Sequence, residues 1–268
     1  MLSARPLLDF LKRGETHRYG PDRSQVADLH SPVGPGPHPV VVLIHGGSWS
    51  RRYGRIVMRA LAGDLQRGGW AVWNIEYRRV GNGGGWPETF ADVAAAIDRL
   101  SEVRAPLDLD RVSIVGHSAG GHLALWAAGR AALAPGAPGA LSGPPAVRFQ
   151  RAIAQAGVCD LAGGYELWHG GAVRALMGGS PAELPDRYAV ADPLANVPVP
   201  SPVLLVHGVL DEVVSIELSR SYERAALAAG GRVELAEIEG AAGRHRAHVD
   251  PRGEAWAVAR SWLGAAYA

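Results

Sequence analysis

Residues 111–126, RVSIVGHSAGGHLALW, constrain the fold more than any other stretch of this 268-residue chain. Arg111-Val112-Ser113-Ile114-Val115 reads as a short buried strand, and Leu123 to Ala128 reads as a helix. Only Gly116-His117-Ser118-Ala119-Gly120 and two further residues separate them. A strand that turns so sharply into a helix holds its central residue in a strained conformation. Its flanking residues must be small, because the two elements nearly touch there. The turn exposes the Ser118 hydroxyl at a helix N-terminus, where free N–H groups and the helix dipole favour developing negative charge. Gly-x-Ser-x-Gly alone says little in a chain with 35 glycines. The flanking strand and helix give it weight.

The rest of the chain repeats that alternation. Val40 to Ile44 is a β-branched run suited to a parallel strand buried on both faces. Further strands are predicted over Ala71 to Ile75, Arg151 to Gly157, Pro202 to His207 and Val233 to Ile238. Helical patterns fill Arg55 to Arg67, Thr89 to Leu100, Ile216 to Ala229 and Gly253 to Leu263. The N-terminal part is weaker: Leu7, Leu8, Phe10 and Leu11 suit a short helix, and Gln25 to Leu29 an edge strand. Strand alternating with helix predicts an α/β domain with a mostly parallel sheet and helices on both faces. One such domain accommodates residues 1–268, with no domain-scale linker. Roughly residues 161–200 break the rhythm, with helix-like pieces at Ala172 to Met177 and Pro181 to Tyr188, and are expected to form a small lid.

In such sheets the ligand crevice lies beyond the carboxyl ends of the strands. His45-Gly46-Gly47, Glu76-Tyr77 and Ser118 all fall at those ends. A serine alcohol is a poor nucleophile and needs a base, itself oriented by a third group. Asp211 follows the PVLLVH strand by a short loop, with Glu212 and the more distant Asp160 as rival acids. The loop after the last strand holds two candidate bases, His245 and His248. The order serine, acid, histidine is the one this kind of elbow requires. Oxyanion donors are expected from the amides of Gly47, Ser48 and Ala119. Trp49, Trp86 and Trp168 are candidates for lining an apolar substrate pocket.

Other chemistries lack support. The net charge of +1 makes no electrostatic case for nucleic acid or an anionic membrane. Cys159 is the only cysteine, so no intrachain disulfide can form. His45, His117 and His122 are not accompanied by a metal-ligand spacing, and the Gly81 to Gly85 stretch lacks the lysine of a phosphate loop. No metal or cofactor is therefore expected. With no apolar run of signal-peptide or membrane-span length, the expectation is a cytoplasmic protein acting on a small molecule. A homodimer is left open, as is a non-catalytic binding module on the same fold.

Taken together, VVVLIHGGSW (Val40 to Trp49), VSIVGHSAGGHLALW (Val112 to Trp126), PVLLVHGVLDEVV (Pro202 to Val214) and GRHRAHVDP (Gly243 to Pro251) resemble the α/β-hydrolase superfamily over roughly residues 20–268. His-Gly-Gly-x-Trp looks like the oxyanion motif of small esterases related to arylformamidases. Pro202 to Val214 also resembles the catalytic domain of prolyl oligopeptidase-type peptidases. The resemblance implies an α/β-hydrolase fold and a cofactor-independent serine esterase with a triad of Ser118, Asp211 and His245. It selects His245 over His248 because relatives place the histidine several residues before Asp-Pro, here Asp250-Pro251. Arg244 and Arg246 depart from the small or aromatic flanks usual there. The neighbouring activity it implies is an amide hydrolase of the arylformamidase kind.

Overall fold

The computed structural model describes residues 14–265. The helix expected around Leu7 to Leu11 lies outside them. Eight strands form one sheet in the order β1-β2-β4-β3-β5-β6-β7-β8. They are β1 (Glu15–Arg18), β2 (Val26–His30), β3 (His38–Ile44), β4 (Ala71–Ile75), β5 (Leu107–His117), β6 (Phe149–Gln155), β7 (Val203–Gly208) and β8 (Val233–Ile238). β1 pairs with β2 and β2 with β4 in antiparallel fashion. The other five pairings are parallel.

The uninterrupted apolar runs follow from burial on both faces. Successive strand residues point to opposite sides. Val41 and Leu43 of β3 therefore join Leu61, Leu65, Trp256 and Leu263 in one core cluster. Helices α1 (Arg59–Arg67) and α8 (Glu254–Gly264) supply those partners. Val40, Val42 and Ile44 join Phe90, Leu123, Trp126 and Tyr222 in the other cluster. Their partners come from α2 (Glu88–Arg99), α3 (Ala119–Ala128) and α7 (Glu217–Ala228). Each fully buried Val, Leu or Ile contributes about 1.5–3 kcal/mol, so this two-sided burial holds the strand ends, and the site on them, in place.

Three expectations need correction. Val26–His30 is not an edge strand, because β1 pairs outside it. β1 reads ETHR and is largely exposed, so it carries no apolar period to find. The segment after β6 opens with a helix absent from the sequence prediction, α4 (Leu161–Leu167), followed by α5 (Gly171–Met177) and α6 (Pro185–Ala191). The glycines at 163 and 164 hid α4, but the Asp160 carboxylate accepts the Gly163 N–H at 2.6 Å and caps it. The third piece starts four residues later than Pro181 because Pro185 occupies its first turn. No described helix is long and apolar enough to cross a membrane.

A very tight joint lies where β5 meets α3. A Cβ at Gly120 would lie 2.1 Å from the carbonyl oxygen of Ile44 and 2.6 Å from that of His45. Those are backbone atoms that cannot swing aside. Gly120→Ala is expected to cost about 3 kcal/mol or more. Urea unfolding would check this, and an unchanged midpoint would contradict it.

Candidate active site

The carboxyl ends of β3, β4, β5, β7 and β8 deliver the candidate residues to one edge. Ser118 sits between β5 and α3 at φ 55° and ψ −122°, a conformation strongly disfavoured for a residue with a Cβ. Backbone bonds hold it there. Its N–H donates to Gln155 O at 2.8 Å, and its carbonyl accepts from Gly121 N at 2.8 Å and His122 N at 3.2 Å. Ser118 is 4% exposed, so the residue is buried beneath the neighbouring loops and not exposed as the turn alone predicts.

Asp211 and His245 come together from loops after β7 and β8. His245 Nδ1 lies 2.8 Å from Asp211 Oδ2. An ionised carboxylate only accepts, so Nδ1 carries the hydrogen, and in the neutral ring this bond leaves Nε2 as the nitrogen with the free lone pair. The other carboxylate oxygen accepts the amides of Val213 at 2.8 Å and Val214 at 3.0 Å. Burial alone would raise the Asp211 carboxyl. The bond to His245, the Val213 and Val214 amides and the charge of His245 outweigh it and hold the group below the usual carboxylate range. His117, directly before Ser118, ties the main chain of the same histidine, with Nε2 3.0 Å from the His245 carbonyl oxygen.

The rivals are placed elsewhere. Asp160 caps α4, and Glu212 is exposed. His248 is fully buried, and neither ring nitrogen has a hydrogen-bond partner among the described residues.

The glycine turn after β3 comes close to the serine. A Cβ on Gly46 would lie 2.8 Å from Ser118 Cβ, so only glycine permits this approach. Gly47, Ser48 and Trp49 follow at φ 113°, 52° and 52°. Among the described residues, none of Gly47, Ser48 and Ala119 donates its N–H to a backbone carbonyl. For Ala119 the reason is positional, since the first residue of a helix has no carbonyl behind it to bond.

A buried network braces that turn. His45 Nε2 lies 2.9 Å from Glu76 Oε1, and its ring stacks on Tyr77 at 4.4 Å. Tyr77 donates its hydroxyl to His45 O at 2.8 Å. Arg79 Nη1 lies 2.7 Å from Glu76 Oε1, and the Arg55 N–H donates to Oε2 at 3.0 Å. Burial opposes ionisation of Glu76, but His45, Arg79 and the Arg55 amide overcome it and lower its pKa. Sequence reasoning placed Glu76 near the site but gave it no task. A carboxylate directly after a buried strand was the available signal.

The three tryptophans have different settings. Trp49 is 1% exposed and packs in the core, with its indole N–H 3.2 Å from His122 Nδ1. Trp86 is half-buried, meets Phe90 edge-on at 5.1 Å and donates its backbone N–H to Leu176 O. Trp168 borders a cleft of about 240 Å³ that also touches Asp211, Val213 and Ile216. A larger cavity of about 760 Å³ opens at the opposite edge of the sheet, beside Asp110, Gln150 and Pro202, and contains none of the candidate triad.

The pattern of the BD-FAE family matches residues 28–225. The chain belongs to the BD-FAE family. Two curated relatives come from Mycobacterium tuberculosis. Esterase LipC is 26% identical over 83% of this chain and 57% of its own length. Esterase LipQ is 30% identical over 83% of this chain and 55% of its own. The chain thus spans about half the length of the curated relatives it matches. Among solved structures, a truncated carbohydrate esterase from gut microbiota superposes with a TM-score of 0.79 at 20% identity, covering 94% of this chain and 96% of that one. Esterase 2 of Thermogutta terrifontis, with propionate bound, gives 0.74 at 22% identity, covering 95% and 94%. Those likenesses, with the eight-stranded mostly parallel sheet, make this BD-FAE member an α/β-hydrolase fold.

Three buried histidines give the site an acid limit. In the unfolded chain each titrates near 6.5, whereas burial pushes His117 down to about 3 and His122 and His248 down to about 4. The folded pKa lies below the unfolded one, so their contribution is complete above pH 6.5 and is lost as pH falls toward 4. Each accounts for up to roughly 1.4 kcal/mol per pH unit in that window. Urea midpoints taken from pH 7.5 to 4.5 should fall steadily below pH 6.5, and a flat profile would contradict the assignment.

Proposed function

We propose that this protein is a cofactor-independent serine hydrolase that cleaves small carboxylic esters through an acyl-enzyme. The observation that carries the proposal is the 2.8 Å bond from His245 to Asp211, made at the same sheet edge as a strained serine at the start of a helix. The esterases among its relatives favour the same chemistry.

In this mechanism Ser118 Oγ attacks the ester carbonyl while His245 Nε2 takes the hydroxyl proton. Asp211 keeps His245 in the tautomer that leaves Nε2 basic and stabilises the imidazolium that forms. The carbonyl oxygen becomes an oxyanion held by the amides of Gly47, Ser48 and Ala119, each such donor being worth about 3 kcal/mol. Collapse of the tetrahedral intermediate breaks the bond to the alcohol, which leaves with the proton from His245. Water repeats the sequence on the acyl-enzyme and releases the acid.

Substrate size is assigned from the surroundings. The segment 161–200 acts as a lid, and the cleft beside Trp168, Val213 and Ile216 takes the apolar part of the substrate. Its volume of about 240 Å³ lies below the roughly 300–1,000 Å³ of pockets for drug-sized ligands, which favours a small ester. Propionate on the Thermogutta relative is in line with a short acyl group. The Gly46-Gly47-Ser48-Trp49 turn after His45 keeps a second activity in play, hydrolysis of an aryl formamide of the N-formylkynurenine kind.

Ser118→Ala and His245→Ala should each lower turnover of a short-chain p-nitrophenyl ester by about 10³-fold or more. His248→Ala should leave turnover within about tenfold while lowering thermal stability, since it removes a buried side chain. Retained activity in Ser118→Ala would end this mechanism. Loss confined to His248→Ala would reassign the base. A screen of acyl esters of graded length with one formyl anilide should peak at short acyl chains. Faster turnover of the formyl anilide would move the assignment to the amide.

A further inference from the structure

His122 lies four residues beyond Ser118 on α3 and is fully buried. A buried imidazole has two nitrogens to satisfy. Here the partners come from two distant parts of the chain. Trp49 Nε1 lies 3.2 Å from His122 Nδ1. An indole nitrogen can only donate, so Nδ1 must be the bare nitrogen. Nε2 therefore carries the hydrogen and donates it to Ala191 O at 2.9 Å. The partners leave one tautomer, and burial keeps the ring neutral by pushing it down to about 4.

Both partners belong to segments that need holding. Trp49 closes the turn of Gly47 and Ser48, and it adopts φ 52°, which is uncommon for a bulky residue. Its ring meets His122 edge-on at 5.3 Å, and Phe90 meets His122 edge-on at 5.7 Å. Ala191 is the last residue of α6. The next residue, Asp192, accepts the amides of Leu161, Ala162 and Leu194. That knot joins the beginning and the end of the segment 161–200.

We propose that His122 is a positioning residue that ties the oxyanion turn and the lid to the nucleophile helix, one through each ring nitrogen. Through Nδ1 it holds the Trp49 ring and so sets where the Gly47 and Ser48 amides point. Through Nε2 it anchors the segment that covers the substrate. This rests on the serine-hydrolase mechanism above, and the test separates the two.

The two limbs can be cut one at a time. His122→Asn keeps an acceptor near the position of Nδ1 but cannot reach Ala191. His122→Gln places an amide N–H near Nε2 but removes the acceptor for the indole. Trp49→Phe cuts the first limb with His122 intact. His122→Gln and Trp49→Phe should each lower kcat by about 10- to 100-fold with KM within about threefold, because misplaced oxyanion donors weaken the transition state alone. Their combination should be no worse than the more severe single variant. His122→Asn should raise KM about five- to tenfold while keeping kcat within about threefold. Labelling of Ser118 by a fluorophosphonate, with a thermal melt, shows that each variant is folded. Equal losses of kcat in His122→Asn and His122→Gln, or an unchanged kcat in Trp49→Phe, would overturn the inference. A folded wild-type protein that neither labels at Ser118 nor turns over esters would instead bring down the hydrolase mechanism on which it rests.

Discussion

The structure depends on one strained residue. Ser118 carries a backbone conformation that costs about 1–3 kcal/mol, and nothing in its own side chain repays that. What sustains it is the close contact of β5 and α3, possible only because Gly116 and Gly120 present no side chain to each other or to β3. The Ser118 amide is tied to β6 and its carbonyl to the first turn of α3. Burial of β3 and β5 on both faces then makes the joint rigid. The helix N-terminus and the hydroxyl above it are consequences of that geometry.

Around this joint the protein places neutral histidines where many cores would use apolar side chains. His117 bonds the His245 carbonyl, His122 bridges Trp49 and Ala191, and His207 bonds Ser219 Oγ at 2.7 Å and Val214 O at 2.9 Å. Each satisfies a backbone or side-chain group that would otherwise be buried and unpaired at a cost of about 1–3 kcal/mol. Each is also a directional link from a strand or helix of the core to a separate element or loop of the chain. The arrangement depends on these rings staying uncharged, which their burial secures. His248 is the exception: among the described residues neither ring nitrogen has a hydrogen-bond partner, and the residue is tied through its carbonyl, which accepts from Gln155 Nε2 at 3.0 Å.

Charge is handled differently on the β3 and β4 side. Glu76 is almost wholly buried, yet it stays ionised because His45, Arg79 and the Arg55 amide surround it. Such an ion cluster adds little net stability, since desolvation consumes most of the attraction. Its effect is positional: His45 is fixed by Glu76, by Tyr77 and by its own bond to Gly46 O. The residue before the glycine turn therefore cannot drift, and the turn keeps its distance from Ser118.

The sequence by itself determined the alternation of strands and helices, the elbow at Ser118 and the order of serine, acid and histidine. These are local, written in β-branched runs, glycine spacing and chain order, and they need no knowledge of distant contacts. The polar edge strand β1 and the glycine-masked helix α4 were not legible, because pairing and capping, not apolar period, create them. The choice among Asp160, Asp211 and Glu212 as partner of His245, the burial of Trp49, and the tasks of Glu76 and His122 were decided only by tertiary structure. A hydrogen bond between residues 34, 69 or 73 positions apart, such as Asp211 to His245, Ala191 to His122 or Trp49 to His122, leaves no periodic trace in the chain. Such a bond exists only once a twisted sheet brings its strand ends to one edge.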